Sequence, residues 1–188
     1  MSYMKSLSLP VPYIIAMVGL PGTGKSYFAT TFADNFRAPH VDELYFCHLA
    51  HKPSDGTQMA ADVLHEIMKT SQAIIFEGKL DTKEERESLV RFGQKRKYEV
   101  LFVWVQADPD TSKKRALKHM SAGEYKARLK TFVPPSEKES YIVISGHHTH
   151  ATQARTLLKH LTGPRSRIAR TATPPSRPRV AINSRRIN

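Results

Sequence analysis

Short, unbroken apolar runs alternate along this chain with longer stretches whose apolar positions recur at helical spacing. Tyr13 to Val18 reads as a strand covered on both faces, and the glycine-containing loop after it feeds a helix from about Lys25 to Phe36. Pro39 to Val41 forms a short second strand that ends at Asp42 and Glu43. A polar stretch around Lys52 to Gly56 reads as a connection. A helix follows from about Gln58 to Thr70, with Met59, Val63 and Ile67 on one stripe and Ala60, Leu64 and Met68 beside it. Ala73 to Phe76 is the third strand, ending at Glu77-Gly78. Thr82 with Glu85 makes a capping box that opens a helix through about Lys95. Val100 to Val105 is the fourth strand. Asp108 before Pro109 supplies an N-cap and a first-turn proline for a basic helix to about His119. Ser121 with Glu124 starts a shorter helix. Tyr141 to Ile144 is the last strand, and Thr149 to Leu161 the last helix, stopped by Gly163-Pro164.

Strands and helices in strict alternation predict an α/β domain: a parallel sheet between two helical layers, with its ligand at the carboxyl ends of the strands. The length of 188 residues suits one such domain over residues 1–162, followed by a basic tail over 163–188. The formal charge of +12 resembles that of a nucleic-acid binder until its distribution is considered. Seven arginines and no acid lie in the tail, leaving 22 basic against 17 acidic side chains before it. The tail, rich in Pro, Ser, Thr and Arg, is expected to be flexible when alone, because it has too little apolar surface to offset its ordering entropy. No apolar run reaches the ~18 residues of a membrane span, and no signal peptide is expected at the start. A single cysteine, Cys47, rules out an internal disulfide and suits a reducing, cytoplasmic setting. Its Tyr-Phe-Cys context reads as core.

The chemistry concentrates in one segment. Gly19-Leu20-Pro21-Gly22-Thr23-Gly24-Lys25-Ser26 matches the phosphate-binding P-loop pattern G-x-x-x-x-G-K-[ST] at every fixed position, with a strand before it and a helix after it. The glycines allow successive backbone N–H groups to turn towards phosphate oxygens, and the helix adds the positive end of its dipole. Lys25 is expected to reach the β- and γ-phosphates and Ser26 to hold Mg²⁺, with Tyr27 completing the nucleotide-binding set. Asp42 and Glu77 end neighbouring strands on the same edge. Either could take a proton from an acceptor hydroxyl or hold Mg²⁺, and either could equally be a solvated acid or a helix cap. No Walker-B aspartate follows the fourth strand. Arg115, with Lys113 and Lys114, and Arg128 further on, could neutralise charge on a transferring phosphoryl group or form a solvated basic face. His147, His148 and His150 read as a polar loop rather than a metal site, since no cysteine or acid stands at ligand spacing.

From about residue 12 to 162 the chain resembles the small P-loop kinases of the polynucleotide-kinase-like and zeta-toxin-like group, AAA-type ATP-binding proteins. Besides the P-loop, the likeness rests on Val41-Asp42, on Ile74-Ile75-Phe76-Glu77-Gly78 with Thr82 and Glu85-Arg86, and on Val103 to Pro109 leading to Lys114-Arg115. Tyr125, Arg128, Phe132 and Pro134-Pro135 extend it. The resemblance implies a five-stranded parallel sheet of order 2-3-1-4-5 and a lid carrying Arg115 and Arg128. It also implies ATP and Mg²⁺ as cofactors, with Asp42 as the base for the acceptor hydroxyl. The chain departs from the pattern after strand three, where Glu77-Gly78-Lys79-Leu80-Asp81-Thr82 stands in place of an Asp followed by Asn-Thr, and its lid is short. The expected function is transfer of the ATP γ-phosphate to a hydroxyl acceptor. The alternative is a nucleotide-dependent switch with slow hydrolysis, and in either case the tail could contact nucleic acid. The sequence names neither the acceptor nor the oligomeric state.

Overall fold

The computed structural model of the protein describes residue 7 and residues 9–163. Its elements are β1 (Tyr13–Val18), α1 (Lys25–Phe36), β2 (His40–Asp42), α2 (Glu43–Leu49), α3 (Pro53–Met68) and β3 (Ile74–Glu77). They continue with α4 (Lys83–Gln94), β4 (Glu99–Gln106), α5 (Pro109–Ala116), α6 (Ala122–Thr131), β5 (Tyr141–Ser145) and α7 (His150–Thr162). All five strands are parallel in the order β2-β3-β1-β4-β5. The basic tail expected to be flexible lies outside the described residues.

Alternation along the central strand divides the core in two. Ile14, Ala16 and Val18 face one side with Leu64, Phe76, Leu89 and Phe102, under α3 and α4. Ile15 and Met17 face the other with Phe28, Phe32, Leu101, Val103 and Leu157, under α1 and α7. These β1 side chains are at most 1% exposed, as a central strand covered by helices on both faces requires. Each fully buried aliphatic or aromatic side chain contributes about 1.5–3 kcal/mol, which ties the sheet and the helices that carry the site into one unit. Among the described residues, no helix is long and apolar enough to cross a membrane.

The caps form as the residue types dictate. Thr82 with Glu85 and Ser121 with Glu124 both close reciprocal capping boxes, and the Asp108 carboxylate accepts from the Thr111 amide at 2.8 Å. Between Asp42 and Gln58 the structure differs from the sequence reading. Glu43–Leu49, where the apolar pattern predicts no element, is helical, and α3 begins at Pro53 rather than near Gln58, so the polar stretch from Lys52 lies at its N-terminus. Helix α2 buries none of its residues fully, which leaves no apolar stripe to reveal it. Its packing on α3 depends on Gly56, where an added Cβ would lie 2.4 Å from the Cys47 Cα. Cys47 is accordingly half-buried at this helix contact rather than in the core, its Sγ 3.5 Å from the Pro53 carbonyl oxygen.

Candidate active site

Because every strand runs the same way, the segments leaving β1, β2, β3, β4 and β5 all emerge on one edge of the sheet. The P-loop leaves β1, which stands between β3 and β4 where the chain switches from one half of the sheet to the other. Gly19, Gly22 and Gly24 have φ of 143°, 80° and 101°, backbone conformations that side-chain-bearing residues rarely adopt. Gly22 is also held by space, since a Cβ there would lie 2.1 Å from the Ser112 carbonyl oxygen of α5. Thr23 fixes the turn by donating its hydroxyl to the Leu20 carbonyl at 2.9 Å. The loop is thus shaped by its own glycines and by α5 beneath it.

Lys25 donates Nζ hydrogen bonds to the Gly19 and Leu20 carbonyls at 2.8 and 3.0 Å, so its ammonium lies across the loop. Burial lowers its pKa to about 8; the Glu77 and Asp81 charges oppose that shift and the Arg128 charge adds to it. Phosphate oxygens in the loop would favour the charged form. Ser26 donates its hydroxyl to Glu77 Oε2 at 2.7 Å, and His40 Nε2 donates to Glu77 Oε1 at 3.0 Å. Because a carboxylate only accepts, that contact assigns the His40 ring proton to Nε2. The hydroxyl of Ser26 and the carboxylate of Glu77 form an oxygen-only donor pair beside the phosphate loop, a set that fits Mg²⁺.

Asp42 is the ladder partner of Glu77 across β2 and β3. Its Oδ1 caps α2 by accepting from the Leu44 amide at 2.9 Å, leaving Oδ2 without a partner among the described residues. Glu43 next to it is fully engaged, accepting from the Thr57 hydroxyl at 2.8 Å and from the Lys79 amide at 2.9 Å. The acid available at the end of β2 is therefore Asp42.

Arg115 and Arg128 stand in different places. Arg115 lines a cavity of about 360 Å³ with Thr23, Gly24, Tyr27, Gly146, His148 and Gln153, on the side of the P-loop facing β5. Tyr27 is 69% exposed at its mouth, so an aromatic ring and a planar guanidinium both border a space of nucleoside size. Gln153 is buried there and donates its Nε2 to the Ser145 carbonyl at 2.7 Å, which leaves its Oε1 as an acceptor. Arg128, from α6, lies instead against Asp81: its Nε is 2.6 Å from Oδ2, and Nη2 donates to Oδ1 at 3.1 Å. Lys113 and Lys114 are exposed on α5 and line no part of this cavity. In the histidine loop, His147 accepts from the Asp108 amide, and His150 packs on Phe28 with ring centroids 5.4 Å apart.

Sequence reasoning passed over His40, Asp81, Gly146 and Gln153. His40 opens the short β2, and Asp81 lies between β3 and α4 in a stretch marked only as a departure from the pattern of the resembling kinases. Gly146 is set by a close approach, a Cβ there falling 2.6 Å from the Thr23 carbonyl oxygen, which no local pattern reveals.

Residues 48–167 match the zeta toxin family, and the chain belongs to that family. The P-loop precedes the matched stretch. No curated protein matches the chain. Among solved structures, a proposed kinase from Chloroflexus aurantiacus J-10-fl is similar with a TM-score of 0.66 at 14% identity, over 80% of this chain and 99% of that one. Kti12 from Chaetomium thermophilum in complex with ADP-AlF3 gives 0.63 at 10% identity, over 80% and 100%. The Mycobacterium tuberculosis APS kinase CysC in complex with AMPPNP and APS gives 0.59 at 14% identity, over 80% and 98%. The fold is that of the P-loop kinases.

Proposed function

We propose that this protein is a kinase that transfers the γ-phosphate of ATP to a hydroxyl acceptor. The observation that carries the reading is the convergence of four groups on one sheet edge. These are a glycine-built phosphate loop with Lys25 across it, the Ser26–Glu77 oxygen pair, Asp42 with a free carboxylate oxygen, and Arg128 on the short lid helix. A phosphate loop alone would suit a switch protein. A free acid beside it suits transfer, because an acceptor hydroxyl must lose its proton as it attacks.

In this reading Gly19 to Ser26 bind the β- and γ-phosphates, and the Tyr27–Arg115 cavity takes the nucleoside. Ser26 and Glu77 would hold Mg²⁺, which would supply neutralisation of phosphate charge at this site. Asp42 Oδ2 accepts the acceptor's proton while the acceptor oxygen forms its bond to the γ-phosphorus. The bond from that phosphorus to the β–γ bridging oxygen breaks, and ADP leaves with the electron pair. Lys25 and Arg128 lie within electrostatic reach of each other and of the loop, where negative charge spreads in the transition state. His40 holds the Glu77 carboxylate from the side away from Ser26.

Sugars, nucleosides, small alcohols and 5′-hydroxyl polynucleotide ends all suit this arrangement, the last being the acceptor of a polynucleotide-kinase-like subgroup. The single Cys47 is compatible with a cytoplasmic setting, and nucleic-acid contact through the arginine tail is compatible with any of these acceptors.

Asp42→Asn keeps the cap on α2, because the amide oxygen still accepts from the Leu44 amide, but it removes the base. We expect transfer to fall by about 10²–10⁴-fold, the usual worth of a general base, with ATP affinity within a few-fold of wild type. Turnover within a few-fold of wild type would remove Asp42 from the mechanism.

A further inference from the structure

We propose that Asp81 is a positioning residue for phosphoryl transfer, orienting Arg128 so that the unpaired edge of its guanidinium is directed at the phosphate loop. The inference rests on the reading of Arg128 above and extends it to a residue that the P-loop pattern does not include.

Asp81 occupies the segment between β3 and α4, and its side chain is 9% exposed. Arg128 Nη2 donates to Asp81 Oδ1 at 3.1 Å, and Nε lies 2.6 Å from Oδ2 as a close charge contact without hydrogen-bond geometry, so one hydrogen bond and one ion pair tie the guanidinium to the acid. Arg128 Nη1 has no partner among the described residues. The backbone around Asp81 is fixed as well. The Val133 amide donates to the Asp81 carbonyl at 2.8 Å, and Arg86 Nη1 donates to the Leu80 and Val133 carbonyls at 3.2 and 2.8 Å. Val133 follows directly on the end of α6, so the acid and the lid helix that carries Arg128 share one anchorage.

Position relative to the loop separates a positioning role from a simple staple. The charges of Asp81 and Arg128 both bear on Lys25, in opposite directions, so the pair belongs to the electrostatic surroundings of the phosphate site. Burial holds the Asp81 carboxyl above its ordinary range, against the opposing charges of Arg128 and Lys25. An arginine on an unrestrained lid would lose side-chain entropy each time it engaged the phosphoryl group. One already paired with a buried carboxylate has lost part of that freedom beforehand.

The test compares two probes on the purified full-length protein with Mg²⁺: ADP with aluminium fluoride, which mimics the phosphoryl group in flight, and AMPPNP, which mimics bound ATP. Calorimetric affinities are measured for wild type, Asp81→Asn, Arg128→Ala and the double variant, with melting temperatures alongside. Asp81→Asn is expected to weaken the aluminium fluoride complex by about 10–100-fold and AMPPNP by less than about 3-fold. In the Arg128→Ala background Asp81→Asn should cost nothing further, since it acts through the arginine. Asp81→Glu, which keeps the charge, should recover part of the loss and supplies the comparison if the asparagine variant melts too low to assay.

If Arg128→Ala binds both probes as wild type does, the role given to Arg128 fails and this inference fails with it. If Arg128→Ala weakens the aluminium fluoride complex but Asp81→Asn does not, the Arg128 reading stands and the Asp81 inference is overturned. Losses that multiply in the double variant, or equal weakening of both probes by Asp81→Asn, overturn it as well.

Discussion

Replacing Lys25 by alanine is expected to lower γ-phosphate transfer by about 10²–10³-fold, the loss seen when one pre-organised donor to developing charge is removed. The ammonium bridges two carbonyls of the loop at 2.8 and 3.0 Å, so it stands where phosphate oxygens enter, and burial at its site strengthens any charge pairing formed there. The turns of the loop are set by Gly19, Gly22, Gly24 and Thr23, and Lys25 adds two hydrogen bonds across them, so the variant should melt only slightly below wild type while binding AMPPNP more weakly. Lys25→Arg is expected not to rescue, because a forked guanidinium does not replace a compact point charge in a loop this close. Steady-state rates, calorimetry and thermal melting check all three statements. A rate within about tenfold of wild type would mean that the loop does not bind the reacting phosphates.

The largest effect on stability is expected at Arg86. Its side chain is 0% exposed and pairs through Nε and Nη2 with the Glu139 carboxylate, while donating to the Leu80, Val133 and Pro134 carbonyls. Burial alone would raise the Glu139 carboxyl, but the hydrogen bonds from Arg86 and Ser136 and the Arg86 charge hold it below its ordinary range. Arg86→Ala would leave the Glu139 charge without its cation, held only by the Ser136 hydrogen bonds, and would take the arginine donor from three carbonyls, costing about 3–5 kcal/mol. For a domain of this size that is on the order of 6–20 °C in melting temperature.

The sign with pH follows from the direction of the Glu139 shift. A folded-state pKa below the unfolded value means that this pair's stabilisation is complete above the ordinary carboxylate range and is lost as pH falls through the folded-state pKa. The destabilisation by Arg86→Ala should therefore be largest at neutral pH and shrink under acid. Melting curves from pH 3 to 8 check it, and a drop of less than about 2 °C at neutral pH would contradict the role given to Arg86.

Much of the fold was legible because it is written locally. The apolar run of β1, the glycines before Lys25 and the Thr82–Glu85 and Ser121–Glu124 boxes each specify backbone conformation within a few residues. Helix α2 was not legible, because it is short and covers little core, and Gly56 reveals its purpose only once α3 lies against Cys47. The phosphate-binding part of the candidate site was read directly for the same reason of locality. The remainder depends on partners distant in sequence: His40 with Glu77, Asp81 with Arg128, and Arg86 with Glu139. The nucleoside-sized cavity draws on α1, α5 and the segment from Gly146 to Gln153, which no local pattern links. Spacing can place Arg115 and Arg128 on helices near the same edge. It cannot show that one lines this cavity and the other is tied to an acid beside Lys25.

The most direct test of the account follows the labelled γ-phosphate of ATP, with Mg²⁺, into a panel of sugars, nucleosides, small alcohols and 5′-hydroxyl polynucleotides, with Lys25→Ala as the control. A labelled acceptor that disappears in the control is the expected result. Label released only to water, or retained on ATP that is bound but never turned over, would contradict it and favour a nucleotide-dependent switch.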